Sequence, residues 1–154
     1  MKYLYQMIAD ILENDATLVA NVGYTTKNFL IRRGYQPEGA WSKLVVYYFQ
    51  PSVLVDGDIT EKIRIVPLIV RVYDRDNDLN CDVIAERIVL LLDGANLSVA
   101  GKVHCYECSY TGELIPTNRN NDLKTYEKVI RFSIKARMDE VIGGEPTEHR
   151  QREN

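Results

Sequence analysis

Three acidic residues at alternate positions, Asp74, Asp76 and Asp78, have the spacing with which a calcium-binding loop begins. Such a loop places oxygen ligands at its first, third and fifth positions, a glycine at the sixth and a glutamate at the twelfth. Leu79 and Ala85 occupy the sixth and twelfth positions in this sequence. The acidic residues are better explained as solvated residues that cap the start of a helix, so no metal site is expected.

A second candidate is the Cys-x-x-Cys spacing of Cys105 and Cys108, which zinc knuckles and thiol oxidoreductases also use. The segment around them has the character of a β-strand, in which residues three apart point to opposite faces. Because the two thiols would then be unable to share one ion, we expect them to be small buried side chains.

Nucleophilic catalysis needs a base beside a Ser, Thr or Cys, and the sequence has two histidines, His104 and His149. His149 falls in a polar tail without an apolar anchor. The sequence contains no nucleophile elbow, dinucleotide-binding motif or phosphate loop, and its acids are scattered over turns. We therefore predict that the protein is not an enzyme, with no catalytic residues and no cofactor.

Composition favours one ordinary globular domain. The chain has 154 residues, of which 45% are hydrophobic and 27% charged. A chain of this length can bury a core without metal or disulfide staples. Its net charge of -3 argues against broad electrostatic binding to nucleic acid or anionic lipid. With no signal peptide and no apolar run that could cross a bilayer, we expect a soluble, cytoplasmic protein with three reduced cysteines.

The spacing of apolar residues predicts three helices. The first covers residues 3–14, and a short second one begins after Asp15 as N-cap and ends at Gly23. The third precedes Gly94. Its buried stripe is Ile84, Ile88, Leu91 and Leu92.

Five segments have β-strand character: residues 28–33, 43–50, 60–73, 103–110 and 125–138. Asp56-Gly57-Asp58 is a turn signal that joins the second and third as a hairpin, and Pro67 predicts a bulge or an edge position. Residues 112–122, with Gly112 and Pro116, are predicted to form a long polar loop.

The sum is an α+β domain over residues 1–141, with a mixed, largely antiparallel sheet flanked by two main helices. Residues 142–154 have no apolar residue that could anchor them, so disorder is expected there.

Tyrosine is unusually common, with 10 in the chain against 3 phenylalanines and 1 tryptophan. Tyrosines can fill a core whose rim satisfies their hydroxyl groups, or they can supply a protein interface at low entropy cost. The interface interpretation gains weight because a sheet that is apolar on both faces needs two covers, and few helices are predicted. The tyrosines on predicted strands are Tyr47, Tyr48, Tyr73, Tyr106, Tyr110 and Tyr126.

Four passages, in their order and spacing, resemble the tail terminator (tail completion) proteins of long-tailed bacteriophages over residues 3–138. They are the leading helix with DATLVANVG at 15–23, LVVY at 44–47, VRVYD at 70–74 with IAERI at 84–88 and LLD at 91–93, and the closing strand at 126–137.

The resemblance implies a virion structural protein of the tail, assembled in the host cytoplasm. Its subunits would close into a ring, typically a hexamer, that caps the finished tail tube and joins it to the head connector. DNA would pass through the ring without sequence-specific binding, and no membrane would be involved. A mildly acidic subunit suits this role because repulsion from phosphate prevents sticking.

On this hypothesis the hairpin tip and the polar loop would face neighbouring subunits or the tube. The residues predicted to lie at such interfaces are Trp41, Tyr47, Asp56, Asp58, Glu61, Arg71, Glu113, Asn118 and Arg119. Two alternatives stay open from the sequence. One is another ring-forming neck or tail-tube subunit. The other is a small metal- or ligand-binding domain or enzyme that uses the acidic residues near Asp74 or the two cysteines.

Overall fold

The computed structural model describes residues 1–34, 37, 39–55 and 62–138. Within these residues the chain forms three helices and a six-stranded, mostly antiparallel sheet, which confirms the predicted α+β class. The helices are α1 (Lys2–Glu13), α2 (Ala16–Val22) and α3 (Asp78–Leu92). The strands are β1 (Ile31–Arg33), β2 (Lys43–Phe49), β3 (Val53–Leu54), β4 (Ile63–Asp74), β5 (Val103–Asn120) and β6 (Thr125–Met138).

The sheet has the strand order β1-β2-β4-β6-β5, and β3 pairs with β4 beyond the end of β2. β1 runs parallel to β2, and the other pairs are antiparallel. At its centre, β4 and β6 pair from Ile63 opposite Arg137 to Asp74 opposite Tyr126 without a register shift. Because side chains alternate along a strand, this constant register assigns each residue of the pair firmly to one face.

All three helices pack on one face of the sheet. Leu4 of α1, Leu18 of α2 and Ile88 of α3 share a single buried cluster with alternate residues of the strands. On β6 these are Ile130, Phe132, Ile134, Ala136 and Met138, as the sequence alternation predicted. We call the opposite face, on which no helix packs among the described residues, the open face.

The short helix α2 begins and ends where the sequence placed its caps. The Asp15 carboxylate accepts a hydrogen bond from the backbone N–H of Leu18 at 2.9 Å, and Gly23 ends α2 with φ of 78°. The same carboxylate receives Nε and Nη2 of Arg87 in α3, at 2.8 and 2.6 Å. Asp15 therefore caps α2 and ties it to α3.

Pro67 lies in the central strand β4, opposite Ser133, and the register passes through it without a bulge. Its carbonyl accepts from the backbone N–H of Gln50, just where β2 ends and before β3 begins. In an antiparallel strand the nitrogen and the carbonyl of one residue face the same neighbour. The missing N–H therefore falls at the gap between two partner strands. Of the two alternatives predicted for Pro67, the bulge is wrong, and the N–H position turned toward an unpaired part of the sheet is the one that the structure resembles.

The predicted polar loop over residues 112–122 is also wrong, because β5 continues as a strand to Asn120. Its pairing with β6 is interrupted by register shifts, including one next to Gly112 and one between Ile115 and Asn118 that contains Pro116. β5 is an edge strand, where bulges and a proline are tolerated. Lys128 fixes this part of the hairpin, because its ammonium group pairs with Glu113 at 2.6 Å and with Asp82 of α3 at 2.8 Å.

None of the described helices has the length and apolar character to cross a membrane. The hairpin tip Asp56, Gly57 and Asp58 and the tail at residues 142–154 lie outside the described residues.

Replacing Tyr47 by alanine is expected to destabilise the fold by about 3 kcal/mol or more, because the change leaves a cavity in the core. The side chain is 2% exposed, and its ring lies 6.3 Å from that of Tyr5. The free energy of unfolding in urea measures the effect. Exposed Leu114 is the control, since Leu114→Ala should change it by no more than about 0.5 kcal/mol. Equal, small effects of both substitutions would contradict the assignment of Tyr47 to the core.

Replacing Asp15 by asparagine keeps a cap acceptor but removes the charge that pairs with Arg87. The hydrogen bond from Arg87 lowers the pKa of the Asp15 carboxyl. This stabilisation is therefore present above the pKa of the unfolded chain, about 3.9, and is lost as pH falls through the lower folded-state value. Asp15→Asn should unfold more easily than the wild type at neutral pH, and the difference should shrink below about pH 4. A difference that stays constant with pH would contradict the ion pair.

Candidate interaction surfaces

The acidic residues lie in the turn that leads into α3. Asp74 is fully buried, and its carboxylate accepts hydrogen bonds from the backbone N–H groups of Asp76 and Asn77, at 2.8 and 2.9 Å. Nδ2 of Asn80 donates to the same carboxylate at 3.0 Å. Asn77 is the N-cap of α3, and Asp74 is buried, so the expectation of a solvated capping residue is wrong for Asp74. In the described part of the chain, no group of three His, Cys, Asp or Glu residues is placed to hold a metal.

The two cysteines of the Cys-x-x-Cys spacing are both buried on the helix side of the sheet. The expectation that they point to opposite faces is wrong, because β5 has a register shift at Tyr106. Cys105 lies opposite Ala136 and Cys108 opposite Ile134, which are two residues apart on one face of β6. The expected role as small buried side chains is confirmed.

Burial also determines the chemistry of these thiols. It raises the pKa of Cys108 to about 12, and it does the same for Cys81 in α3. The thiolate is the form that attacks electrophiles and binds metals. At neutral pH both groups are therefore held as thiols, which are poor nucleophiles and poor ligands.

Cys81 and Cys108 are expected to resist alkylation by iodoacetamide at pH 8 while the protein is folded, because they are buried and protonated. Intact mass after a timed reaction measures the labelling. The same chain in strong denaturant is the control and should take up three labels, one for each cysteine. Rapid labelling of either residue in the folded protein would contradict the burial described here.

Two residues predicted to lie at an interface are buried inside the subunit. Tyr47 is in the helix-side core, where burial raises its pKa. Trp41 belongs to a small cluster that covers one end of the open face, and its Nε1 donates to the carbonyl of Pro37 at 3.1 Å. The guanidinium of Arg75 lies 4.1 Å from the Trp41 ring centroid. We assign both residues to packing within the subunit. The other members of the small cluster are Leu44, Val46 and Tyr73.

The other predicted interface residues are placed differently. Arg71 is half-buried on the open face, and its Nε donates to the Tyr48 hydroxyl at 3.2 Å. Glu113 pairs with Lys128, as described above. Asn118 and Arg119 are exposed near the end of β5. Asp56, Asp58 and Glu61 lie outside the described residues.

A surface that the sequence reasoning missed lies on α3. Leu79, Val83 and Leu90 are 66%, 48% and 68% exposed. Together with exposed Glu86 they form what we call the outer stripe. Residues three or four apart share one face of a helix, so the stripe points away from the buried residues of α3 and from the sheet. The signal was present in the sequence, because α3 is apolar around much of its circumference and not on one side alone.

The open face has a different character. Its exposed end carries three cations of β6, Arg131, Lys135 and Arg137. Val53 and Ile65 lie opposite each other beside Lys135, and they are 63% and 39% exposed. The ammonium group of Lys135 lies 6.0 Å from the ring centroid of Tyr106. A chain with a net charge of -3 thus gathers cations and exposed apolar side chains on one face.

Comparison with known proteins supports the fold only. No family model and no curated protein matches the chain. Among solved structures, a chain of a "Virion of native gene transfer agent (GTA) particle" is similar, with a TM-score of 0.63 and 16% sequence identity. The match covers 87% of this chain and 91% of that chain.

Proposed function

We propose that this protein is a structural subunit of a phage-like virion. Its copies close into a ring that caps the tail tube and joins it to the head connector. The observation that carries the proposal is the fold shared with a chain of a gene transfer agent virion, which extends over nearly the full length of both chains. The tail-terminator resemblance of four separate sequence passages supports the same role independently.

The surfaces of the subunit suit assembly with other copies. The outer stripe and the open face lie on opposite sides of the molecule, and each exposes large apolar side chains to water. Contacts between unlike surfaces, repeated by rotation, close into rings. The partners in this proposal are further copies of the chain, the tail-tube protein and the head connector, within the virion.

We also propose that the protein acts without catalysis. Cys81 and Cys108 are held as thiols, and the carboxylate of Asp74 is occupied by three hydrogen bonds, from the following turn and from Asn80 of α3. Cysteines and aspartates can act in catalysis, but these three are engaged in packing and hydrogen bonding, which supports a structural role.

In solution, the full chain is expected to form one closed oligomer. If it is a hexamer, its mass is six times the subunit mass of 17.7 kDa. Sedimentation equilibrium and native mass spectrometry measure the stoichiometry, and negative-stain images should show rings with a central opening. Because some ring formers assemble only on a partner, tail tubes from the same virion are the second condition. A chain that stays monomeric in both conditions, and does not bind the tubes, would contradict the proposal.

A further inference from the structure

We propose that the outer stripe of α3 in one copy docks on the open face of the next copy. The contact would be head-to-tail, between opposite sides of the subunit. This inference rests on the proposed ring function and adds the surfaces that close the ring.

The outer stripe has the composition of an interface core. Leu79, Val83 and Leu90 lie on one face of α3, and Glu86 is the polar residue among them. Leu79 and Leu90 each expose about two thirds of their surface to water. Burying such side chains is favourable by about 25 cal/mol for each Å² of apolar area removed from water.

The open face offers a complementary surface. Val53, Ile65 and Lys135 form a row across β3, β4 and β6, and Tyr106 continues it on β5. Arg131 and Arg137 flank Lys135 on the same face. Glu107 also lies on this face, opposite Lys135, and its carboxylate accepts from the Ser109 hydroxyl at 2.7 Å. The cations of β6 therefore run through the middle of this surface, with Val53 and Ile65 on one side of them and Tyr106 on the other.

Charge favours a contact between unlike surfaces. Two open faces placed together would oppose arginine and lysine side chains, and two outer stripes would bring the Glu86 carboxylates together. Docking a stripe on an open face instead places Glu86 near the cations and covers Val53 and Ile65. DNA would neutralise the cations but would leave those exposed apolar side chains without a partner, so a second copy of the chain is the better match.

Two substitutions test the contact, one on each surface. Leu90→Asp places a charge in the outer stripe, and Lys135→Glu reverses a charge on the open face. Each should raise the dissociation constant of the oligomer by at least about tenfold, as measured by sedimentation. Leu123→Asp and Lys124→Glu are matched controls, since both residues are exposed in the β5–β6 turn, and they should leave assembly unchanged. Thermal unfolding checks that each variant is folded, and Arg131→Glu replaces Lys135→Glu if the latter is not.

A mixture of the two variants gives the sharpest readout. Each keeps one intact surface, so a mixture of Leu90→Asp and Lys135→Glu should form a one-to-one heterodimer that cannot grow, although neither variant assembles alone. A mixture without this heterodimer would overturn the head-to-tail arrangement.

The remaining outcomes separate this inference from the proposed function. Rings that form normally from both variants would overturn the contact and leave the ring function standing. Loss of binding to a DNA duplex by Lys135→Glu, with assembly intact, would overturn the contact and assign the open face to nucleic acid. If only the turn controls lose assembly, the contact lies at the β5–β6 turn and the proposed contact is overturned. A wild-type chain that never assembles, alone or on tail tubes, would overturn both proposals.

Discussion

The pairing of β4 with β6 is the constraint on which the rest of the structure depends. Twelve residues of β4 face β6 without a shift, so the alternation of side chains stays in phase along the centre of the sheet. On one side this phase presents a continuous apolar surface, which all three helices cover. On the other it aligns Arg131, Lys135 and Arg137. One register thus produces both the core and the charged surface behind it.

A second constraint holds the edge of the molecule. Lys128 points to the helix side and binds Asp82 of α3 and Glu113 of β5. Thr117 donates to the same Asp82 carboxylate at 2.6 Å. Hydrogen bonds from Lys128 and Thr117 lower the pKa of the Asp82 carboxyl, which stays ionised at neutral pH. The second half of β5 is therefore held by side-chain contacts to α3 as well as by its backbone pairing with β6.

The sequence was informative wherever a local pattern decides the structure. The caps Asp15 and Gly23 and the alternation of β6 all appear as predicted. The errors share a cause, since each concerns a contact with a distant part of the chain. Gly112 and Pro116 are typical of a loop, and the local sequence does not contain the pairing with β6 or the ion pair with Lys128 that hold this segment as a strand. The face of Cys105 depends on a bulge, and the burial of Tyr47 depends on helices that pack over its strand.

The central claim is that opposite sides of the subunit meet in a closed ring, and crosslinking between copies tests it most directly. A chain with both Leu90→Cys and Val53→Cys, treated with a short bifunctional maleimide, should give a covalent ladder that ends at the ring size. The native cysteines are buried and should not compete. Chains with either substitution alone should remain uncrosslinked. Dimers from Leu90→Cys alone, or no ladder from an assembled double variant, would contradict the account.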